Sequence, residues 1–252
     1  MKLTEFFIQN PAFAVAFSGG VDSSYLLYAA KQAGVKVKGY YVKSDFQPQF
    51  ELEDALALAR EHSLEIQVIK ADVLLNQTVR ENPIDRCYYC KILVFANIIE
   101  AAKADGFTLI CDGTNASDDA GDRPGMKALM ELSVRSPLRE CGITKDELRR
   151  LSKEAGLCTW NKAAYACLAT RIPSGQSIDS TILNKIEKCE NRLFELGFND
   201  FRVRTVGDCA RLQLTATDIP LFADKRREVS EILLNNFHDA VLDLKNIRGE
   251  VG

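Results

Sequence analysis

The sequence predicts an α/β fold in which a mostly parallel sheet is followed by a smaller C-terminal α/β domain. Its first half alternates short apolar, β-branched runs with amphipathic helical segments. Strands separated by helices form βαβ crossovers, and such crossovers make neighbouring strands parallel. Near residue 175 the pattern changes to helix, hairpin, helix and strand. We therefore expect a larger domain over residues 1–174 and a smaller one over residues 175–252.

Short apolar runs between polar or glycine residues indicate the strands of the larger domain. They are predicted at residues 12–17, 36–42, 65–70 and 107–112, with one more around Val134. Helical spacing of Leu, Ala and Ile predicts helices between them, at residues 21–34, 50–63 and 88–103. Thr144 and Glu147 form a capping-box pattern, which indicates that another helix begins there and continues to about Ala155.

The smaller domain is predicted to contain helices at residues 180–196 and 218–235 and a last strand at residues 240–244. Between the helices, the dipeptide Gly207-Asp208 predicts a hairpin with a two-residue turn. Counting outward from the turn, the predicted register pairs Val206 with Cys209, Arg204 with Arg211 and Arg202 with Gln213.

This register places three arginines on one face of the hairpin: Arg202, Arg204 and Arg211. Like charges that face each other across strands are destabilising unless something neutralises them. A phosphate suits guanidinium geometry and would do so, as would the carboxylate of Glu190 on the preceding helix. A solvated basic face is the other interpretation, since arginines are commonly exposed.

Composition narrows the classes of function. The net charge is −3 and 27% of the residues are charged, so no overall basic field is present to hold nucleic acid. No apolar run reaches the length of a membrane span, and the first residues do not resemble a signal peptide. We therefore expect a cytoplasmic protein without a membrane partner. In that setting, eight cysteines favour buried thiols and a metal site over a disulfide framework.

The loop after the first strand has the composition of a phosphate-binding site. It reads AFSGGVDSS, from Ala16 to Ser24, and joins the first strand to the first helix. Gly19 and Gly20 allow the backbone to approach an anion closely, and the N–H groups at the helix start attract it. The loop is neither a Walker P-loop nor a dinucleotide-binding loop. A glycine-rich turn without a ligand is the alternative.

The full string S-G-G-x-D-S resembles the pyrophosphate loop of the PP-loop ATP pyrophosphatases, which include tRNA thiolases, GMP synthetase and NAD synthetase. The stretches CDGTNASDD at residues 111–119 and RSPL at residues 135–138 resemble two further motifs of that superfamily. The resemblance implies a sheet of the PP-loop type and the cleavage of ATP to AMP and pyrophosphate through an adenylate. The ATP-binding residues that it implies are Ala16, Phe17, Ser18, Gly19, Gly20, Asp22, Ser23, Ser44 and Gly113.

Within that set, the resemblance gives Asp22 a catalytic role. Its carboxylate would hold Mg²⁺, a hard cation that suits carboxylate and phosphate oxygens. An acid that stabilises a helix N-terminus is the alternative for this residue. Residues 41–44 lie at the end of the second strand, and ligands of such sheets bind at the carboxyl ends of strands. We therefore expect Ser44 to border the adenine.

Later segments resemble the LarE family, the sulfur transferases of nickel-pincer cofactor synthesis. They are WNKAAYACLATRIPSG, DRPGMKAL and ENRLFELGFNDFRVR, at residues 160–175, 122–129 and 190–204. Enzymes of this family adenylate a carboxylate of pyridinium-3,5-biscarboxylic acid mononucleotide and replace an oxygen with sulfur. The resemblance implies this small-molecule substrate, sulfide or another sulfur donor, and a homo-oligomer such as a hexamer.

The same resemblance implies that Arg202 and Arg204 hold a phosphate or carboxylate of the substrate and that Glu190 orders them. Arg211 joins them on the hairpin geometry given above. Asp224 matches an acidic site residue of the family, with a solvated helix position as the alternative.

The stretch RCYYCK at residues 86–91 contains a C-x-x-C motif formed by Cys87 and Cys90. Zinc sites, iron–sulfur clusters and dithiol redox pairs all use this spacing, and it also occurs with a structural role only. His62 and His238 have no spaced partner, so a four-ligand zinc site would need two more cysteines. The spacing by itself does not choose among these chemistries.

The LarE resemblance adds Cys167, which lies in the loop where that family carries the cysteine of its sulfur chemistry. One type of the family gives up the sulfur of a single cysteine, whereas another holds a [4Fe–4S] cluster with three. The presence of all three cysteines matches the second type and implies Cys87, Cys90 and Cys167 as cluster ligands, with catalysis at Cys167. The other cysteines are expected to be packing or surface residues: Cys111, Cys141, Cys158, Cys189 and Cys209.

Two other functions stay open at this point. A tRNA thiolase of the same superfamily would need an RNA-binding surface, against which the net charge of −3 speaks. A non-catalytic sensor of nucleotide or sulfide would retain the ATP site without the reaction. The sequence leaves the roles of Tyr88 and Tyr89 unexplained.

Overall fold

The structure, a computed structural model, describes residues 1–118 and 124–245. Asp119 of the 111–119 motif, and Asp122 and Arg123 of the 122–129 segment, lie outside the described residues. The chain divides into two units: Met1–Val73 with Asp85–Ala164, and Leu74–Ile84 with Tyr165–Gly252. The second unit thus begins before residue 175, the boundary expected from the sequence, and it takes in an earlier stretch of chain.

The regular elements follow one another largely as the sequence predicts. The strands are β1 Ala12–Ala16, β2 Lys36–Lys43, β3 Ile66–Lys70, β4 Ile110–Cys111, β5 Phe201–Val206, β6 Cys209–Leu214 and β7 Asp239–Leu242. The helices are α1 Leu3–Gln9, α2 Val21–Gln32, α3 Gln49–Glu61, α4 Gln77–Glu81, α5 Arg86–Ala104, α6 Pro124–Glu131, α7 Pro137–Glu140, α8 Lys145–Glu154, α9 Ser180–Glu195, α10 Ile219–Asp224 and α11 Arg226–Leu234. Over the described ranges, no helix is both long enough and apolar enough to cross a membrane.

Sequence periodicity misses some short helices and joins two others. The helices α1, α4, α6 and α7 have 7, 5, 8 and 4 residues, which is too few to display an apolar face as a repeating pattern. The helix expected over residues 218–235 is divided into α10 and α11 at Lys225. The predicted N-cap of α8 is confirmed, because Thr144 Oγ1 accepts a hydrogen bond from the N–H of Glu147 at 3.3 Å.

The first unit contains a four-stranded sheet with the order β3-β2-β1-β4, in which every pair of strands is parallel. This confirms the predicted α/β class. The strand expected at residues 107–112 is shortened to β4, and the one expected around Val134 is a single bridge between Cys111 and Arg135. Phe107 packs its ring edge-on against Tyr40 instead, with ring centroids 6.4 Å apart.

Alternating side chains of β1 bury both faces of this sheet. Phe13 and Val15 belong to one apolar cluster with residues of α2, α3 and α8, whereas Ala14 belongs to another with residues of α5 and α6. Cover on both faces is typical of parallel strands. Ligands of such sheets bind outside the carboxyl ends of the strands, where residues 17–20 follow β1 and residues 44–48 follow β2.

The second unit contains a three-stranded sheet with the order β5-β6-β7. β5 and β6 form the predicted hairpin, and β7 adds to β6 in parallel. The predicted register is confirmed: the pairs are Val206 with Cys209, Arg204 with Arg211 and Arg202 with Gln213. α9 packs against β5 through Phe194, whose ring centroid lies 4.8 Å from that of Phe201.

Hydrogen bonds to the chain after Cys167 bring residues 74–84 into the second unit. Asn82 has a left-handed backbone conformation with a φ of 56°, and its Nδ2 donates to the carbonyl oxygen of Pro173 at 2.9 Å. The N–H of Gly175 donates to the carbonyl oxygen of Asn82 at 2.7 Å. These bonds involve residues far apart in sequence, which is why composition alone does not show this boundary.

Candidate active site

The loop after β1 has the geometry of an anion cradle. α2 begins after Gly20, and glycine has no side chain to cap the first N–H groups of the helix. The N–H of Ser18 donates to Ser23 Oγ at 3.1 Å, and this bond closes the loop internally. Gly19 has a φ of 74°, and a Cβ on it would lie 2.8 Å from the Cβ of Ala55. The predicted phosphate-binding residues thus lie at the amino end of a helix, where anions bind.

Asp22 lies in the first turn of α2 and is held by two polar side chains. Lys145 Nζ is 2.6 Å from Asp22 Oδ2, and Asn115 Nδ2 donates to Asp22 Oδ1 at 3.4 Å. Lys145 is the first residue of α8, directly after the capping Thr144. A carboxylate beside a phosphate cradle is the donor that Mg²⁺ uses when phosphate oxygens supply other ligands. The residues present therefore fit a nucleotide-bound Mg²⁺.

Gly113 packs the 111–118 segment directly against the start of α2. A Cβ at Gly113 would lie 2.7 Å from the backbone nitrogen of Ser23 and 3.1 Å from its Cα. Both are backbone atoms, so they cannot turn aside as a flexible side chain could. Next to Gly113, the buried carboxylate of Asp112 accepts a hydrogen bond from the hydroxyl of Ser136 at 2.7 Å. The loop and this segment therefore lie against each other within the first unit.

Gly113→Ala is expected to weaken ATP binding by about tenfold or more, because the added methyl group would displace the backbone of Ser23 in the predicted phosphate loop. Overpacking of this kind also costs about 1–3 kcal/mol of the free energy of unfolding. Titration calorimetry with ATP measures the affinity, and urea denaturation measures the stability.

Gly34→Ala is the matched control for this substitution. Gly34 has a φ of 76°, and a Cβ there would meet no heavy atom within 4 Å. Its replacement costs about 1–2 kcal/mol of backbone strain without touching the phosphate loop. ATP affinity should be lowered by Gly113→Ala and unchanged by Gly34→Ala; equal affinities in the two variants would contradict this role of Gly113.

Ser44 follows β2 and is buried in the turn that leads to α3. Its Oγ donates to Gln47 Oε1 at 2.7 Å and accepts from the N–H of Phe46 at 3.2 Å. Tyr41 is also buried, and within the described residues its hydroxyl has no hydrogen-bond partner. The proposed adenine border thus lies at the carboxyl end of β2, the strand that pairs with β1.

Arg202 and Arg204, on neighbouring positions of β5, both contact backbone carbonyl groups. Arg202 is buried, and its Nη1 donates to the carbonyl oxygen of Phe201 at 2.6 Å. Arg204 is half-buried, and its Nη1 donates to the carbonyl oxygen of Thr170 at 2.5 Å. Arg204 Nε donates to Gln213 Oε1, also at 2.5 Å. These bonds orient both guanidinium groups, and Arg202 Nη1 also lies 3.4 Å from Oδ1 of Asp200.

Arg211, the third arginine of the hairpin face, is paired within the fold. Its Nη2 lies 2.5 Å from Oδ2 of Asp243, which also accepts from Nε2 of Gln213 at 2.6 Å. An anion would have to displace this close carboxylate to reach Arg211, whereas the contact of Arg202 with Asp200 is longer, at 3.4 Å, so Arg202 and Arg204 are the stronger candidates. Asp224 is exposed at the end of α10.

The sequence predicts that Glu190 orders Arg202 and Arg204, and the structure gives its carboxylate other partners. Arg171 Nε and Nη2 donate to Glu190 Oε1 and Oε2 at 2.9 and 3.0 Å. Glu190 Oε1 also accepts from the N–H of Val203 at 2.9 Å. Val203 lies between the two arginines, so Glu190 acts on them through the strand backbone.

Positive charge is concentrated around Arg202 and Arg204. Burial lowers the pKa of Arg202, and the nearby charge of Arg171 lowers it further. Burial also lowers the pKa of Arg204, with added repulsion from Arg171, Arg202 and Arg211. Glu190 opposes both pKa shifts without reversing them. An anionic ligand would relieve this repulsion, since an opposite charge favours the protonated guanidinium.

Cys87 and Cys90 lie at the start of α5, three residues apart and so on the same side of the helix. Cys87 is exposed, and Arg86 Nη2 donates to its Sγ at 3.8 Å. Burial lowers the pKa of Lys91, while Asp112, Cys87 and Cys90 act in the opposite direction, so its ammonium is within electrostatic reach of both thiols. Cysteine sulfur is a ligand that suits soft metals.

Cys167 lies in the second unit, directly before the 3₁₀ turn Leu168–Arg171, and is half-buried. The three cysteines proposed for a cluster are thus divided between the two units. Within residues 1–118 and 124–245, no three side chains of His, Cys, Asp or Glu are gathered as a metal site. The thiols of Cys87 and Cys90 are of the chemical type that binds soft metals. Cys167 as the third ligand remains a proposal.

Two other cysteines behave as apolar packing residues. Burial raises the pKa of the Cys111 thiol, and it raises the pKa of Cys189 to about 12. Both side chains are fully buried. Neutral buried thiols are inert packing groups.

Tyr88, one of the two tyrosines within the C-x-x-C motif, joins α5 to α6. Its hydroxyl donates to Glu131 Oε2 at 2.5 Å, and Lys127 Nζ lies 5.3 Å from the centroid of its ring. The ring of Tyr89 packs edge-on against that of Tyr88, with centroids 5.2 Å apart. Tyr88 therefore connects the motif to the helix that follows the 119–123 segment.

Four residues that organise these sites are not singled out by sequence patterns: Asn115, Lys145, Tyr165 and Arg171. Asn115 belongs to the 111–119 motif, and Tyr165 and Arg171 belong to the 160–175 segment, so the motifs mark their regions. Lys145 follows a recognisable N-cap. Sequence patterns do not identify the partner of each of these side chains, because the partners are distant in sequence.

Comparison with known proteins finds a family model that matches part of the chain and individual relatives that match most of it. The family described as tRNA methyl transferase HUP domain matches residues 12–103. Pyridinium-3,5-bisthiocarboxylic acid mononucleotide synthase of Lactiplantibacillus plantarum is 31% identical over 239 residues, which cover 93% of this chain and 86% of that enzyme. An uncharacterized protein of Synechocystis sp., slr1717, is 34% identical over 225 residues, 88% of this chain and 83% of that protein.

A more distant similarity involves enzymes that act on tRNA. The tRNA-specific 2-thiouridylase MnmA 2 of Clostridium botulinum is 26% identical over 181 residues. The match covers 59% of this chain and 51% of that enzyme. This match therefore covers a smaller share of both chains than the two matches described above.

Proposed function

This chain belongs to the LarE family, and from that membership we propose that it is an ATP-dependent sulfurtransferase acting on a pyridinium dicarboxylate mononucleotide. It is an enzyme of the PP-loop superfamily. The observation that carries the proposal is the uncapped start of α2, with Asp22 in its first turn and Gly113 packed against it. That arrangement suits the binding and cleavage of a nucleoside triphosphate.

In the first half of the proposed reaction, ATP binds with its phosphates in the cradle after β1. A carboxylate oxygen of the mononucleotide attacks the α-phosphorus, which forms an acyl adenylate and releases pyrophosphate. The N–H groups at the start of α2 stabilise the charge that develops on the pyrophosphate. Asp22 would hold Mg²⁺, which supplies Lewis-acid stabilisation of the phosphate oxygens when it is bound.

The anionic groups of the mononucleotide are proposed to bind Arg202 and Arg204. Both guanidinium groups are oriented by carbonyl groups, and both have pKa values lowered by burial and by neighbouring arginines. A phosphate or carboxylate would relieve that repulsion. A local cluster of this size suits a small anion, and the net charge of −3 does not favour RNA.

In the second half, a sulfur nucleophile attacks the carbonyl carbon of the adenylate. The bond from that carbon to the AMP oxygen breaks, and a thiocarboxylate and AMP are the products. Cys87, Cys90 and Cys167 would hold a [4Fe–4S] cluster, which supplies an iron site for sulfide when it is bound. The support for this set is the thiol pair on one side of α5 with Arg86 and Lys91 as cationic neighbours.

A pyrophosphate-release assay tests the adenylation step. The expected result is pyrophosphate release that requires both ATP and the dicarboxylate mononucleotide. Release that requires tRNA instead would identify a tRNA thiolase and contradict the proposed substrate. ATP binding without release in the presence of either acceptor would indicate a nucleotide sensor.

Iron and sulfide quantification after anaerobic purification tests the source of sulfur. We expect about four irons per chain. The content should fall in Cys87→Ala, Cys90→Ala and Cys167→Ala and stay unchanged in Cys158→Ala, which replaces an exposed cysteine without metal spacing. Iron-free protein that still carries out the transfer would show that the sulfur comes from a cysteine or from free sulfide.

A further inference from the structure

A buried ion pair in the second unit uses the full bonding capacity of one carboxylate. Arg171 and Glu190 are each 1% exposed. Glu190 accepts from Nε and Nη2 of Arg171, from the N–H of Val203 and from the hydroxyl of Tyr165. A carboxylate has about four sites for hydrogen bonds, so all are occupied. Because Val203 separates the two candidate anion-binding arginines, the carboxylate fixes β5 at the point from which both project.

The remaining donors of Arg171 hold the loop that carries Cys167. Arg171 Nη1 donates to the carbonyl oxygen of Ala166 at 2.9 Å and to Thr170 Oγ1 at 3.0 Å. Thr170 Oγ1 in turn donates to the carbonyl oxygen of Cys167 at 2.8 Å. Arg204 contacts the same loop through the carbonyl oxygen of Thr170. One guanidinium therefore connects the residues on both sides of Cys167 to the strand of Arg204.

A contribution to the stability of the fold does not by itself explain why a buried ion pair of this kind is present. Desolvation of two charges offsets much of their attraction, and apolar residues of similar volume often stabilise a fold equally well or better. What apolar residues do not provide is four directed bonds from one side chain to three different backbone or side-chain partners. The arrangement around Arg171 is therefore better suited to fixing geometry than to adding stability.

We propose that Arg171 is a positioning residue that holds the Cys167 loop in a fixed geometry relative to Arg202 and Arg204. The consequence of this positioning for catalysis rests on the proposed function, in which the Cys167 thiol and the guanidinium groups of Arg202 and Arg204 act on one substrate. The positioning itself is a property of the second unit and is measurable without ATP or mononucleotide.

Hydrogen exchange of the free protein, followed by mass spectrometry, tests the positioning. The double variant Arg171→Met with Glu190→Leu replaces both charges with apolar side chains, so neither charge is left buried alone. Exchange of peptides covering residues 166–172 should accelerate by at least about tenfold, because the bonds that hold this loop are lost. Peptides from α9 should keep their protection, and in the β5–β6 hairpin only the N–H of Val203, which donates to Glu190, should lose it.

Alkylation of Cys167 by iodoacetamide is the second readout, measured by mass spectrometry of its peptide. The rate should rise in the double variant and also in Arg171→Lys, which keeps the charge but cannot form the two-pronged contact. Arg211→Lys is the matched control, since it changes another paired arginine of the same unit whose ion pair is with Asp243. The control should leave both the exchange and the alkylation rate of the loop unchanged.

Unchanged exchange and alkylation of the loop in the folded double variant would overturn the proposal. Equal loss of protection across the loop, α9 and the hairpin would also overturn it, because it would make Arg171 a general stabiliser. If Arg171→Lys does not fold, the double variant still decides the matter. A failure of the pyrophosphate assay would leave these measurements unaffected, so the two proposals fail independently.

Discussion

Asp22→Asn is expected to slow mononucleotide-dependent pyrophosphate release by about 100-fold or more. The amide keeps the shape of the side chain but lacks the charge proposed to hold Mg²⁺ against the phosphates. The fold should change little, because the side chains of Lys145 and Asp22 are 33% and 22% exposed. Partly exposed pairs of this kind contribute about 0–1 kcal/mol. A single-turnover assay measures the rate, and urea denaturation measures the stability.

Asp54→Asn is the control for this prediction. Asp54 Oδ2 lies 2.8 Å from Lys162 Nζ in the same unit, and its side chain is 56% exposed. This variant should release pyrophosphate at the rate of the unaltered protein. Similar rates for Asp22→Asn and Asp54→Asn would show that Asp22 is only an acid at a helix N-terminus.

Glu190→Leu is expected to lower the free energy of unfolding by about 3–5 kcal/mol, because it leaves the Arg171 guanidinium buried without its partner. Neither side chain of this pair is more than 1% exposed, so water cannot replace the lost carboxylate. Combining this change with Arg171→Met should restore most of the loss, since the double variant buries no unpaired charge. Urea denaturation of the three variants measures the difference.

Glu195→Leu makes the same substitution on the same helix at an exposed position. Glu195 is paired with Arg192, and their side chains are 59% and 66% exposed. Such surface pairs contribute about 0–1 kcal/mol, so the control should change stability little. A comparable loss in Glu190→Leu and Glu195→Leu would contradict the burial argument, and so would a double variant less stable than Glu190→Leu.

The hairpin and the phosphate loop are features that short-range sequence patterns predict well. A two-residue turn and strands of alternating side chains determine that Arg204 faces Arg211, because a shift by one residue would expose the apolar face. In the same way, the string from Ser18 to Ser23 carries its own geometry: a left-handed Gly19 and an uncapped helix start. Each feature depends on residues within one or two turns of chain.

The partners of the charged side chains, by contrast, are not predicted by short-range sequence patterns. Lys145 is 123 residues from Asp22 in sequence, and Arg171 is 19 residues from Glu190. Neither pair reflects a local helical or strand pattern, so periodicity gives no signal for it. The sequence suggested the hairpin arginines as partners of Glu190, whereas the two-pronged geometry available to Arg171 gives the stronger contact.

By itself, the sequence determined the parallel α/β sheet, the phosphate loop at its edge and the register of the hairpin. Only the tertiary structure decided which charges are neutralised and by what: Asp22 by Lys145, Glu190 by Arg171 and Arg211 by Asp243. The physical reason is that periodicity and turn chemistry act between near neighbours, whereas the pairing of charges depends on which side chains long-range packing buries together. Burial then sets how strongly each charge requires its partner.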